Sequence, residues 1–433
     1  MKVKFTILLL PLLLFILIPM ITADTDNPKN SLISQNILGK IAFASKRDGH
    51  SAIYTINDDG TDLKKLTTSI NNAIMPQWSS DGTKILYLSQ NGAKHEIWIM
   101  NNDGSGQKRL ADNCETTFPP AWSPDNHKIL FMINRNYNHV ICTVDADGSN
   151  LTDLTKNNTD SLSPSWSSDG SKILYLLKDK DGGDICLVNQ DGTNQQQLTS
   201  EGFYSASTWS PDGKRIACVC PTTSFYTFFP RNKICVLDSN GNNKKDLTDG
   251  DDFRWSPDGS VITFTRCIRV EVRIWEDGIA LTKKLYGFLM LNVQGNGHYQ
   301  APSSSLQLAS YPAYDDTIRN LDGGNDHDQL LASMSAEHAY SSWAPDSSKI
   351  AYVIDGKLNI YNINKADSIK VDTSKPLSIP KWSPDSKKII WVGKSGRSKK
   401  PSLFLATSDG TAVIQLTNEI SDDADPVWSP LLY

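Results

Sequence analysis

The sequence predicts an all-β protein, a closed ring of four-stranded antiparallel blades, on three observations. The first is a tryptophan-led segment, WSPDG or a near variant, that opens at Trp78, Trp122, Trp166, Trp209, Trp255, Trp343, Trp382 and Trp428. The successive gaps are 44, 44, 43, 46, 88, 39 and 46 residues, and a fixed period of this size marks a repeat architecture. The second is a further turn within each repeat, NDDGTD, NNDGSG, DADGSN, NQDGTN and their relatives, counted eight times. The third is that no copy places apolar residues at i, i+3 and i+4 over a dozen positions, as a helical repeat would require. Length alone would allow about three domains in 433 residues, but a closed ring is one domain whatever its length.

Residues 1–23 differ in kind from the rest. MKVK supplies two lysines and FTILLLPLLLFILIPMITA then runs 19 residues without a charge, the pattern of an export signal. Ala23 suits a cleavage site and Ile21 does not. The run is also long enough for a marginal anchor, with Pro11 and Pro19 counting against a straight spanning helix. Cleavage and retention both stay open. Residues 24–37 read as a polar linker and 38–433 as the ring.

The segment Trp166 to Thr199, WSSDGSKILYLLKDKDGGDICLVNQDGTNQQQLT, shows one unit. After the tryptophan comes a tight turn, with proline second in most copies, Asp third and Gly fourth, which suits a type I turn. KILYLL is a strand, DICLV a second, and NQDGTN turns the chain into QQQLT. The residues leading into the tryptophan supply the remaining strand. Four short strands in about 44 residues describe the blade of a β-propeller.

The chain after the linker begins with KIAFAS, already a second strand, and ends with DPVWSPLLY, a first strand with its turn. Pairing these two would close the ring and leave no sheet edge open at the join. Counted so, the ring has eight blades. Seven is the alternative if the long interval between Trp255 and Trp343 holds no blade of its own.

In an antiparallel blade the first and third connections share one face of the ring. Both recurring turns are of this kind, so the irregular lengths fall on the opposite face: PTTSFYTFFPRN in the fifth blade, CIRVEVRIWEDGIALTKKLYG in the sixth, and the stretch from about 297 to 341. Function tends to sit on variable loops held by a rigid scaffold. Phe225, Tyr226, Phe228 and Phe229 make the most apolar loop after the signal, and such a cluster marks a partner surface or a plug over the end of the channel. Tyr311, Tyr314, Asp315 and Asp316 are further candidates for partner binding.

WSPDGKRIACV, IWIMNNDGSGQKRL and the closing LT resemble the repeats of the TolB-type propeller proteins, over roughly residues 38–433. The resemblance implies the propeller fold and export. It implies less about function, since such repeats occur in periplasmic scaffolds, in propeller domains of prolyl-oligopeptidase-like peptidases and in some polysaccharide lyases. Scaffold members often carry a separate N-terminal α/β domain, which the fourteen residues 24–37 have no room for.

The chemistry of those relatives can be looked for directly. A hydrolase needs a G-x-S-x-G elbow, and GHSAI at Gly49–Ile53 lacks the last glycine. Lyases of this fold use histidines and carboxylates around a metal. Only His327 lies among several carboxylates, and Asp322, Asp326, His327 and Asp328 form a weak metal set against the reading of a solvated polar loop. Asp81, Asp125, Asp169, Asp212, Asp258, Asp346 and Asp385 recur as turn residues. DADGSN at Asp145–Asn150 lacks the glutamate of an EF-hand loop. Cys142, Cys186 and Cys235 share one repeat position and read as core. Cys218 or Cys220 could pair with Cys235 in an oxidising compartment, and their CxC spacing inside a strand, with no second cluster, does not suggest a metal. Asn150 and Asn157 head glycosylation-type triplets.

A net charge of −5, with 39% hydrophobic and 21% charged residues, gives no basic surface for nucleic acid. The expectation is therefore an exported, non-catalytic propeller without a cofactor, binding an envelope or surface protein. A glycan-binding or glycan-cleaving propeller and a structural surface-layer component are the alternatives. Contact with a membrane is expected only through the N-terminal segment.

Overall fold

The structure, a computed structural model, describes residues 39–292 and 341–430 apart from short internal stretches, of which 222–231 is the longest. The described residues form strands and turns and contain no helix. The strands make eight antiparallel sheets. The second is representative, with Asn72–Trp78, Lys84–Asn91, Lys94–Asn101 and Lys108–Ala111 in spatial order. Seven sheets are four-stranded blades. In the last of these the inner strand is split into Lys375–Pro376 and Lys381–Trp382, both paired with Lys388–Lys394. The sixth sheet shows three strands, Asp251–Trp255, Val261–Glu276 and Ile279–Asn292. Among the described residues the doubled interval after Trp255 thus holds one sheet, and residues 293–340 lie outside the described residues.

The core lies between blades. Leu86, Leu88, Ile97 and Ile99 of blade 2 pack against Ile129, Phe131, Val140 and Cys142 of blade 3. The residues alternating with them, Ile85, Tyr87 and Met100, face Ala42, Ala44 and Ile53 of blade 1. Because each sheet is covered on both faces, the two central strands are buried through their whole middle, which an alternating apolar and polar strand could not tolerate.

The tryptophans staple neighbouring blades. The indole N–H of Trp122 donates to Gln77 O (3.5 Å), Trp166 to Ala121 O (3.4 Å), Trp382 to Ser342 O (3.0 Å) and Trp428 to Lys381 O (3.0 Å). Each acceptor is the residue just before the tryptophan of the preceding blade; Trp343 bonds the Thr263 hydroxyl instead (3.3 Å), and Trp78, Trp209 and Trp255 lack an N–H partner among the described residues.

The ring closes as expected from the chain ends. Asp423–Trp428 pairs with Lys40–Ser45, with Ile41 opposite Trp428 and Ser45 opposite Asp423. Across the same seam Lys388 Nζ donates to buried Asp58 Oδ2 (2.7 Å), and Arg47 pairs with buried Asp423 (3.1 Å).

One reading is corrected. The sixth-blade stretch CIRVEVRIWEDGIALTKKLYG is no irregular loop: its backbone continues the two central strands as a ladder, Val261 opposite Asn292 and Glu276 opposite Ile279, broken by a register shift between Val270 and Ile274. Sustained β-branched content favours this extension. Cys114, Cys142, Cys186, Cys218, Cys220 and Cys235 are buried free thiols. Cys142, Cys186 and Cys235 sit in the core, and Cys218 lies directly opposite Cys235.

Candidate functional site at the mouth of the central channel

Both families of turns lie on one face of the ring, as strand alternation requires. Within a blade they are tied together: Asn102 N donates to Thr83 O, Ala146 N to His127 O, Gln190 N to Ser171 O and Ser239 N to Lys214 O. In the tryptophan-led turn the serine hydroxyl donates to the aspartate two residues on, Ser79 to Asp81, Ser123 to Asp125 and Ser167 to Asp169, each at 2.6 Å. The same carboxylate oxygen accepts the backbone N–H of the second residue beyond, Thr83, His127 and Ser171 respectively. The glycine that follows has φ near +70°, 68° at Gly82 and 70° at Gly170, a region open to glycine at little cost. These aspartates are structural.

The serine hydroxyl bonds, with the backbone bonds, hold the carboxyls of Asp81, Asp125, Asp169 and Asp212 below their usual range. A carboxyl with a lowered folded pKa adds stability that is complete above its unfolded value, about 4, and is lost as pH falls through the folded value. Thermal melts from about pH 6 to about pH 3 should therefore show a flat Tm that drops only below about pH 4. A Tm unchanged down to the lowest pH would remove this role from the turn carboxylates.

The inner strands end at these turns, and where those of blades 7, 8, 1 and 2 converge there is a cavity of about 530 Å³. Its walls are Trp78, Trp382 and Trp428 with Pro345, Pro384, Pro430 and Val427, and its polar rim is Gln77, Ser79, Ser80 and Lys381. Two of the three indoles already spend their N–H on backbone carbonyls, so the wall they present is apolar.

Lys381 is the ionisable group of the wall. Burial pushes its ammonium pKa down, and the charge of Asp425 acts back in the other direction. No hydrogen-bond or ion-pair partner for its Nζ is found among the described residues. Asp425 is itself held in place, with its Oδ2 accepting the Met75 N–H (3.3 Å) across the blade 1–2 junction. Asp425 and Met75 both sit at φ +52°, each three residues before its tryptophan, where the register shifts. A part-buried ammonium in an apolar recess favours an anionic group that can enter with it.

Phe225, Tyr226, Phe228 and Phe229 lie outside the described residues, as do Tyr311, Tyr314, Asp315, Asp316, Asp322, Asp326, His327 and Asp328. Lys381 escaped sequence reading, although a signal was present. In the column just before the recurring tryptophans, Gln77, Ala121, Ser165, Thr208, Ser342 and Val427 are neutral, and only Arg254 and Lys381 are charged.

A family model described as the TolB beta propeller domain matches residues 38–211 and 108–276. A search of curated proteins gives no match. Among solved structures, the chain is similar to an oligogalacturonate lyase from Vibrio parahaemolyticus (TM-score 0.51, 11% identity, 86% of this chain and 97% of that one). It is also similar to a eukaryotic initiation factor (0.52, 11%, 92% and 99%) and to TolB from Acinetobacter baumannii (0.37, 16%, 83% and 82%). At these identities the likeness speaks for the fold, and its bearers include enzymes and non-enzymes alike.

Proposed function

This chain belongs to the TolB beta propeller domain family, and on that premise we propose that it is an exported, non-catalytic scaffold that holds another protein of the cell envelope or surface. The observation that carries the reading is the channel-mouth cavity, three indoles and three prolines around the Lys381 ammonium, whose Nζ has no hydrogen-bond or ion-pair partner among the described residues. A sugar would bring many hydroxyls to a wall offering few polar groups, and each buried hydroxyl left without a partner costs about 1–3 kcal/mol. An extended peptide segment with apolar side chains and one carboxylate matches the wall and Lys381 together. Export rests on residues 1–23, with 24–37 as linker and 38–433 as the ring.

The test is cross-linked capture in the native host by an affinity-tagged full chain. It is run beside Lys381→Met, which keeps the aliphatic stem, and beside the quadruple change of Phe225, Tyr226, Phe228 and Phe229 to Ser. The expected result is an envelope protein held by the wild type and reduced at least about tenfold by Lys381→Met, the scale of one lost charged contact. Loss with the quadruple variant alone would move the site to the opposite face. Capture of no protein by the wild type would sink the scaffold reading and leave a glycan as the next ligand to try.

A further inference from the structure

Three thiols and a carboxylate converge on one face of blade 5. Cys218 and Cys220 are two residues apart on the strand Arg215–Pro221 and so share a face. Cys218 stands opposite Cys235, and Cys235 stands opposite Asp246 on the outer strand Lys245–Asp249. One ligand atom from each of Cys220, Cys235 and Asp246 lies within 4.8 Å of the other two. The Cys235 thiol donates to Asp246 Oδ1 (3.3 Å), while Lys233 Nζ holds Asp246 Oδ2 (2.9 Å). Cys218 donates to the Cys235 carbonyl (3.7 Å).

This grouping departs from the repeat. Blade 3 has the same thiol–carboxylate contact, Cys142 to Asp153 Oδ1 (3.3 Å), but the residues matching Cys218 and Cys220 are Phe131 and Ile133, opposite Cys142 and Val140. In blade 4 they are Tyr175 and Leu177, opposite Cys186 and Asp184. At the Cys218 position blades 1, 2 and 8 also carry a large ring, Phe43, Tyr87 and Trp391, whereas the Cys220 position varies, with Ser45, Ser89 and Gly393 there. Blade 5 alone replaces both with sulfur and keeps the carboxylate.

We propose that Cys220, Cys235 and Asp246 form a binding site for a soft divalent cation of the zinc class. Zn–S and Zn–O bonds of about 2.3 and 2.1 Å set tetrahedral ligand atoms roughly 3.5–3.8 Å apart, a spacing the cluster reaches with small side-chain rotations. The two thiols are buried and Asp246 is half exposed, so the ion enters past the carboxylate and water fills its fourth position. Lys233, bonded to the oxygen turned away from the thiols, orients the ligand as an outer partner does. Binding displaces one proton from each thiol.

Titration of the reduced full chain with Cd(II), followed by thiolate-to-metal charge-transfer absorption and equilibrium dialysis, tests this. One tightly bound Cd(II) per chain is expected. Cys220→Ser and Cys235→Ser should each abolish the band, Asp246→Asn should weaken binding at least about tenfold, and Cys142→Ser should change nothing. Because Asp246 is partly exposed, its variant keeps the test decisive even where a core Cys→Ser change unfolds the blade. The proposal fails if no band appears at one equivalent, if the band survives the Cys220→Ser/Cys235→Ser double change, or if thiol counting on protein from its native compartment finds Cys220 and Cys235 joined as a disulfide.

Discussion

Removing residues 423–433 is expected to abolish the folded ring rather than shorten it. The strand Asp423–Trp428 is the inner strand of the blade that the chain starts with, so its loss bares the edge of Lys40–Ser45 along its length. Exposed edges of this kind pair with other chains. The truncation also removes the Asp423 carboxylate, which pairs with Arg47 and accepts the Ser421 hydroxyl, and the Trp428 staple to blade 8. Loss of Trp428, which packs against the core around Ile41 and Phe43, costs about 3–5 kcal/mol by itself. The total should therefore exceed the roughly 5 kcal/mol at which single substitutions top out. Size-exclusion chromatography and thermal melts check it: aggregation or loss of the cooperative melt is expected. A truncated chain that stays monomeric and melts with the full one would show that closure is not what holds the ring.

The second large effect is expected at Trp391. It is fully buried in blade 8 and stacks on Phe404, with ring centroids 5.8 Å apart and planes at 20°. Around it lie Ala351, Leu358 and Ile360 of blade 7, so it is a contact between blades. Trp391→Ala should cost about 3–5 kcal/mol, the transfer term plus the cavity left behind. Trp391→Phe should cost much less, about 1–2 kcal/mol, because the indole N–H has no hydrogen-bond partner among the described residues and its removal forfeits none. Denaturant midpoints of the two variants separate the terms. Equal losses in both would mean that the N–H, not the ring volume, carries the stability. The repeats make it worth following near-UV and far-UV signals together, since nearest-neighbour coupling can let blades 7 and 8 open before the rest.

Much of the architecture was legible because the repeat prints itself in residues that cannot be exchanged freely. Asp81 and its counterparts bond the N–H two residues on, Gly82 and its counterparts take positive φ, and the tryptophans fill the junction between blades, four of them bonding a carbonyl one blade back. Each demand leaves a letter at a fixed interval. The extension of the sixth sheet was missed although its β-branched run carried the signal, because strands of 16 and 14 residues are about twice the length of the longest others and only their mutual pairing shows that they continue.

The candidate site divides in the same way. The period of the tryptophans, the turn aspartates, the closing strand and the core cysteines follow from local chemistry, and sequence alone determined them. Which side chains meet across blades was decided only by the tertiary structure. Lys381 and Trp78 are some 300 residues apart in the chain, and Cys220 and Asp246 belong to non-adjacent strands of one sheet. Their meeting depends on ring closure and on register, and a shift of one residue would turn each of them to the opposite face.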